Sequence, residues 1–405
     1  MATKAAIVEN RQKRARVSID ETIAHDSASL SGQLQILFEK LFSPNASKTL
    51  RRFSSAEAAK LLGVTDSYVR HIASQEEAVT SEKTAAGRRT FSLEEVNMIR
   101  QLLGRTKPAY LPGRREGDHV QVVAVTNFKG GSGKTTTATH LAQYLALRGY
   151  RVLAVDLDPQ ASMSAMLGFQ PEFDVNDNET LYGAIRYDPE RRPVGEVVRQ
   201  TYFAGLDLIP GNLELHEFEH DTPRALASRD SADTDMFFMR VGNALMDLQD
   251  RYDVVVIDCP PTLGFLTLSA LCAATSVLIT VHPQMLDVAS MNQFLSMTSD
   301  LLGVVKEAGG NLDYDWMRYL VTRYEPNDGP QAQIVAFLRS LFGERVLTSM
   351  MVKSTAVSDA GLSKQTIYEA GRETMHRQTY DRAVEAMDSV NSEVEALIRT
   401  AWGRA

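Results

Sequence analysis

Two lysines five positions apart, Lys129 and Lys134, bracket three glycines in the stretch Lys129-Gly-Gly-Ser-Gly-Lys-Thr-Thr136. Glycines let backbone N–H groups approach phosphate oxygens, and a helix beginning here would present its positive N-terminal end to the same anion. Lys134 is then placed to pair with outer phosphates, and the Thr135 hydroxyl to ligate Mg²⁺. The usual phosphate loop opens with a glycine five positions before its Gly-Lys-Thr; here that position is Phe128, and a second lysine, Lys129, precedes Gly130.

Two further sites place carboxylates just beyond apolar runs. Arg151-Val-Leu-Ala-Val-Asp-Leu-Asp-Pro-Gln160 ends on Asp156 and Asp158, and Tyr252-Asp-Val-Val-Val-Ile-Asp-Cys-Pro-Pro261 ends on Asp258. A carboxylate at the end of a buried strand beside a phosphate loop can hold Mg²⁺ directly or through its water. A structural acid satisfied by the sheet end or a helix cap is the alternative for Asp156 and Asp258.

A third group of polar residues has the arrangement of a DNA reader. Phe53 to Ala73 reads as helix, tight turn, helix: Ser54 and Glu57 form a capping box, Gly63 supplies the turn, and Thr65 or Asp66 caps the second helix. Ala59 and Val69 fall where two crossing helices need a small residue and a shared apolar one. Ser67, Tyr68, Arg70 and His71 would then project toward base edges and phosphates. Thr80 to Phe91, with Gly87-Arg88-Arg89 near its tip, reads as a hairpin wing adding Arg88 and Arg89, and Ser92-Leu-Glu-Glu95 caps a third helix. An ordinary helical hairpin is the alternative.

The elements that must position these residues follow from hydrophobic patterning. Apolar runs at 122–126, 151–156, 206–209, 253–258, 276–281 and 318–323 alternate with helix-like stretches. That alternation predicts an α/β fold, a parallel sheet covered by helices on both faces, with ligands at the carboxyl ends of the strands. The stripe Leu30, Leu34, Ile36, Leu37, Phe38, Leu41 and Phe42 predicts a helix from Ser27 to Phe42 that packs on the next domain or pairs with a second copy. Residues 104–117 carry two Pro and three Gly and read as a linker. From Tyr380, Val384, Met387, Val390, Val394, Leu397, Ile398 and Trp402 predict an amphipathic helix packed on the sheet. The expected division is a 1–50 arm and dimerisation helix, a 51–115 winged helix-turn-helix with linker, and a 116–405 catalytic body.

The chain of 405 residues has room for one large core and an appended domain. Its 44% hydrophobic and 23% charged content is ordinary for a globular protein. The net charge of −8 argues against a nucleic-acid binder until it is divided: residues 1–115 carry +7 and the remainder −15. No apolar run reaches ~18 residues, which argues against a membrane span. The polar, basic first 16 residues do not resemble a secretory signal, and two cysteines, Cys259 and Cys272, make no disulfide framework. A cytoplasmic protein is expected.

Taken together, Lys129-Gly-Gly-Ser-Gly-Lys-Thr-Thr, Val155-Asp-Leu-Asp-Pro-Gln and Val256-Ile-Asp-Cys-Pro-Pro resemble the deviant Walker A, A′ and B motifs of the ParA-type partition ATPases, over about residues 120–370. The N-terminal helix-turn-helix and the loop sequence are similar to the RepA branch found on repABC plasmids. The resemblance implies ATP and Mg²⁺ as cofactors. Gly130, Gly131, Ser132, Gly133 and Lys134 would hold phosphates, Thr135 the metal, Thr136 the inner phosphate, and Asp258 a metal-bound water. It implies that Asp158 orients the attacking water with support from Asp156, and that Lys129 reaches the nucleotide of a partner when two subunits close face to face. It also implies sequence-independent DNA contact through Arg339 and Lys353, a centromere-binding partner of the RepB/ParB kind, autoregulation of its own operon, and association with the nucleoid. The chain departs from relatives at Ala356, where another Arg can stand, and at Ala161-Ser162, where Gly-Asn is common.

Three other functions were weighed. A repressor that only senses ATP or ADP would share all these motifs. A membrane-bound relative of the MinD kind would want a basic, strongly apolar C-terminal helix, whereas residues 384–402 alternate with acids. A nitrogenase-like reductase would need cluster-bridging cysteines, and Cys259 and Cys272 read as ordinary buried thiols.

Overall fold

A computed structural model describes residues 18–41, 48–76, 79–84, 87–228, 236–362, 364–372 and 375–404. The chain forms two compact units, 1–48 and 49–405. In the first, helix α1 spans Ile19–Leu41, starting eight residues before the predicted helix. Ile19, Ile23, Leu30 and Ile36 on it are exposed. Phe42 and the side chains of Leu34, Leu37, Phe38 and Leu41 lie outside the described residues.

The second unit begins with short elements held by local capping. Strand β1 (Phe53–Ser54) leads into α2 (Ser55–Leu62), whose capping box between Ser54 and Glu57 is formed in both directions. Gly63 ends the helix at φ +67, a backbone region open to glycine at no steric cost. Thr65, rather than Asp66, caps α3 (Asp66–Gln75) by accepting from the Tyr68 N–H. Strands β2 (Glu82–Lys83) and β3 (Arg89–Phe91) then pair antiparallel, and β3 also pairs with β1, a third strand that the sequence reading had not placed. Ser92 and Glu95 form the second capping box, starting α4 (Leu93–Thr106). Ala58, Val69, Val96 and Ile99 close a small apolar core between these pieces.

The segment expected to be a linker is a fixed strap. Gly104–Thr106 continue α4, residues 108–110 make a 3₁₀ turn, and Arg114 donates to the carbonyls of Tyr252 and Asp118 while its N–H meets the Asp253 carboxylate. A guanidinium offers five donors, so one side chain can fasten a Pro/Gly-rich stretch that patterning reads as loose.

The body is a seven-stranded sheet in the order β10-β9-β4-β8-β5-β7-β6. In chain order these strands are β4 (Gln121–Thr126), β5 (Val152–Asp156), β6 (Arg199–Gln200), β7 (Leu206–Ile209), β8 (Val254–Asp258), β9 (Ser276–Val281) and β10 (Trp316–Val321). The six expected apolar runs all form strands; the last begins at Trp316 and ends at Val321 rather than spanning 318–323. Every pairing is parallel except that of β6, a two-residue edge piece, with β7. Val123 and Val125 face one apolar cluster, Val122 and Ala124 the other, so both faces are covered.

Helices on the two faces explain how the site is held. Helix α5 (Lys134–Arg148) follows β4 directly, and α6 (Phe265–Ala273), α7 (Met285–Glu307) and α8 (Gly329–Phe342) follow β8, β9 and β10. The C-terminal helix, α9 (Arg377–Ala401), buries Met387, Val390, Val394 and Ile398 in the cluster that also holds Leu141 and Leu145 of α5. The small core around Val69 and Ile99 belongs to that same cluster, so the N-terminal part of this unit is joined to one face of the sheet. Among the described residues no helix is long and apolar enough to cross a membrane.

Candidate nucleotide site

Strands β4, β8 and β5 are neighbours, so their carboxyl ends bring the glycine loop, Asp258 and Asp156 together; Asp156 and Asp258 are register partners. The loop turns through Gly131 (φ +75) and Gly133 (φ +85), conformations that a side chain would strain, and α5 starts at Lys134. Its carbonyls are tied outward. The Thr322 hydroxyl donates to the Ser132 carbonyl (2.7 Å), and the Ser132 and Thr280 hydroxyls meet at 3.0 Å. Lys134, 5% exposed, directs its ammonium to the Lys129 carbonyl at 3.3 Å. Burial lowers its pKa, opposed by the Asp258 and Asp158 carboxylates.

Three acids meet three environments. The Asp156 carboxylate accepts from the Ser164 N–H (2.8 Å), the Ser164 hydroxyl (2.7 Å) and the Asp158 N–H (3.2 Å). Burial still pushes it up to about 6. Asp158, half-buried, accepts from the Gln160 N–H and leaves its carboxylate near the loop. Asp258 is fully buried, and neither of its oxygens makes a well-formed hydrogen bond among the described residues, although the Thr135 hydroxyl faces it. Burial, then the neighbouring Asp156, raises its pKa well above the carboxylate range, while Thr135 and Lys134 oppose the rise. A buried carboxylate without a donor is costly. A divalent cation or its water beside Asp258 and the Thr135 hydroxyl would relieve that cost, so the residues present fit Mg²⁺.

The Lys129 side chain leaves the loop toward α7. Its ammonium is ion-paired with Asp287 in the first turn of α7, whose second oxygen meets His282 Nδ1 at 2.8 Å. Asp287, His282, Ser164, Thr322 and Arg323 were not found from the sequence, because no local motif marks them. Thr136 contributes its carbonyl to the Nδ1–H of the fully buried His140 (2.7 Å), whose Nε2 accepts from the Ile367 N–H. Burial lowers the His140 pKa to about 4. Ala161, at the departure from Gly-Asn, holds φ +51, so alanine occupies backbone that glycine would adopt without strain. Cys259 is buried, which with the adjacent Asp258 raises its thiol to about 12, and Cys272 is a free, half-buried thiol.

The candidate DNA-facing residues fall in two groups. Ser67, Tyr68, Arg70 and His71 are all exposed on α3, with the Tyr68 and His71 rings stacked at 6.5 Å. Arg70 pairs with Asp66 at 3.0 Å, and Arg89 donates to the Arg70 carbonyl, which sets β3 against α3. Arg88 is exposed at the tip of the β2–β3 hairpin. Arg339 and Lys353 lie on the body; Arg339 donates to the Thr348 carbonyl, and Lys353 pairs with Glu325 at 3.0 Å.

A mostly parallel sheet with a glycine loop entering a helix, flanked by two strand-end carboxylates, defines a P-loop type of fold. Residues 120–307 match the family model described as an AAA domain. A putative replication protein A of Rhizobium rhizogenes is 58% identical over 391 residues, 96% of each chain. A chromosome partitioning protein ParA of Myxococcus xanthus is 33% identical, over 59% of this chain and 77% of its own. A solved partition protein shares the fold with a TM-score of 0.64 at 17% identity, covering 92% of this chain and 98% of that one. The chain belongs to the ParA-type partition ATPases, in which it is similar to the replication protein A members of rhizobial plasmids.

Proposed function

We propose that the chain is an ATP-gated plasmid partition protein that also regulates its own operon. The observation that carries this reading is the convergence of the glycine loop, Lys134, Thr135, the unpartnered Asp258 and Asp158 at adjacent strand ends. In this reading the loop amides of Gly130, Gly131, Ser132 and Gly133, with Lys134 and Thr136, bind the phosphates of ATP. Thr135 would hold Mg²⁺, with Asp258 supporting the ion as an acceptor outside its direct ligands. Mg²⁺ supplies charge neutralisation on the phosphates when bound. Asp158 orients the attacking water; Asp156, tied to Ser164 and the Asp158 N–H, fixes the turn that carries it.

Binding of ATP favours a face-to-face homodimer because Lys129, released from Asp287, reaches the nucleotide of the second copy. The exposed apolar residues of α1 give that dimer a second contact. The division into an arm (1–50), a winged helix-turn-helix (51–115) and an ATPase body (116–405) assigns operator reading to Ser67, Tyr68, Arg70, His71, Arg88 and Arg89. Arg339 and Lys353 contact DNA without regard to sequence. A centromere-binding partner of the RepB/ParB kind stimulates slow hydrolysis and releases the dimer from DNA, in the cytoplasm and on the nucleoid.

An ATP/ADP-sensing repressor without a partition role is the second reading, favoured by the joining of the helix-turn-helix core to the α5 face of the sheet. The deciding experiment measures ATP turnover of the full chain alone, with DNA, and with DNA plus the centromere-binding partner. Partition predicts turnover that rises only with both; a rate indifferent to the partner would leave the repressor. Lys134→Ala should weaken ATP binding by at least about tenfold, since a charge-assisted hydrogen bond is worth about 1.5–3 kcal/mol. Asp158→Ala should bind ATP and not turn it over.

A further inference from the structure

The residue after β10 is in an unusual state. Arg323 has φ +53, the left-handed region that L-residues other than glycine, asparagine and aspartate rarely hold. Its neighbours enforce it: the Thr322 N–H donates to the Val281 carbonyl and the Tyr324 N–H to the Met351 carbonyl, fixing the chain on both sides. Strained backbone held by its surroundings is a reason to ask what the side chain does. The guanidinium Nη1 donates to the Gly131 carbonyl at 3.1 Å, it is exposed, and no carboxylate pairs with it among the described residues.

A phosphate loop works when its N–H groups face the anion and its carbonyls face away. Any peptide of a glycine-rich turn can flip, because glycine accepts both signs of φ, and a flipped peptide puts a carbonyl oxygen against a phosphate. Thr322 already holds the Ser132 carbonyl. The Gly131 carbonyl precedes it, and Arg323 is the group on it. The geometry points to Arg323 as a positioning residue of the nucleotide site, which pins the Gly131–Ser132 peptide with its amide toward the phosphates. It acts through the loop and rests on the nucleotide-site reading above. Lysine at this position would keep one donor and the charge; glycine would remove the side chain and the backbone strain together.

The experiment uses the full chain and its Arg323→Gly, Arg323→Ala and Arg323→Lys variants, with fluorescent ATP and ADP as probes. Arg323→Gly is expected to melt at or above the temperature of the unmodified chain without nucleotide, so a loss of binding in it is not a loss of fold. Arg323→Gly and Arg323→Ala should weaken ATP and ADP alike by about tenfold, a factor worth about 1.4 kcal/mol. In steady-state turnover KM should rise with kcat nearly unchanged, and Arg323→Lys should recover most of the affinity. Binding by Arg323→Gly equal to that of the unmodified chain would overturn this assignment alone. No ATP binding by the unmodified chain would overturn the nucleotide-site reading and this assignment with it.

Discussion

Arg100 of α4, 5% exposed, donates to the carbonyl of Leu147, in the last turn of α5, at 2.8 Å. A second nitrogen reaches the Leu61 carbonyl at the end of α2 (3.4 Å). One arginine therefore satisfies orphan carbonyls at two helix ends and joins the α2–α4 part to the helix that leaves the glycine loop. Burial lowers its pKa to about 10, so it remains charged at neutral pH.

Arg100→Ala should destabilise the chain by on the order of 2–4 kcal/mol, since both carbonyls lose a charged donor inside the protein. Urea unfolding checks the size, and proteolysis at residues 104–117 checks whether the α2–α4 part loosens first. Gly149→Ala should cost a comparable amount, because its new Cβ would sit 2.4 Å from Arg100 Nε and Gly149 has φ +97. Stability equal to that of the unmodified chain for both variants would sink the joint.

Asp258 and Asp156 set a pH dependence with a definite sign. Burial raises both above the usual carboxylate value, Asp156 to about 6, so the folded, nucleotide-free chain binds more protons than the unfolded one between about pH 4 and pH 6. The contribution of Asp156 to stability therefore falls as pH rises through that window and stays low above it, and that of Asp258 changes in the same direction. His140 acts oppositely: its pKa of about 4 means stability is lost as pH falls below 6.5. Above pH 7, where His140 is silent, Asp258→Asn should stabilise the nucleotide-free chain, because a buried carboxylate is replaced by a neutral amide. The same variant should lose the further stabilisation by Mg-ATP. Thermal melts at pH 7–8 with and without Mg-ATP decide this; a variant that melts lower than the unmodified chain, yet still responds to Mg-ATP, contradicts it.

What the sequence disclosed, and what it hid, follows from range. Strands such as Val254–Asp258 are buried on both faces and read as unbroken apolar runs, and an acid at their end stands out. Capping boxes at Ser54 and Ser92 are written within four residues. The partners that finish the site come from other elements: Asp287 on α7 for Lys129, Ser164 eight residues along for Asp156, and Thr322 and Arg323 just past β10 for the glycine loop. None of those has a local pattern. Arg114 likewise turned an apparent linker into a strap, because a Pro/Gly-rich composition gives no sign of side-chain bonds to residues 249–253.

Lys129 offers a prediction that separates binding from assembly. Its ammonium is held by Asp287, whereas that of Lys134 lies against the Lys129 carbonyl. Lys129→Ala should leave ATP affinity within about threefold of the unmodified chain, because a contact worth under about 0.7 kcal/mol changes binding by no more than that. ATP-dependent dimerisation, followed by light scattering, should disappear. Removing the ammonium also leaves Asp287 with only His282, so the nucleotide-free variant should be less stable by about 1–3 kcal/mol. A dimer that still forms with ATP would refute the cross-subunit role.

The two groups of candidate DNA-facing residues should differ in kind of loss. His71 and Tyr68 are exposed and stacked on α3 with no ion pair among the described residues, whereas Lys353 must leave Glu325 before it can meet a phosphate. Base-edge contacts carry sequence preference; phosphate contacts carry affinity and its salt dependence. His71→Ala or Arg70→Ala should therefore weaken operator binding by about 1–3 kcal/mol and leave random DNA almost unaffected. Lys353→Ala should weaken both, and reduce the slope of log affinity against log salt by about one for random DNA. The pre-existing pair with Glu325 limits that gain, so Glu325→Gln should strengthen random-DNA binding in the ATP state. Fluorescence anisotropy over about 50–200 mM salt measures all four. Equal losses on operator and random DNA for the α3 variants would remove operator reading from that helix.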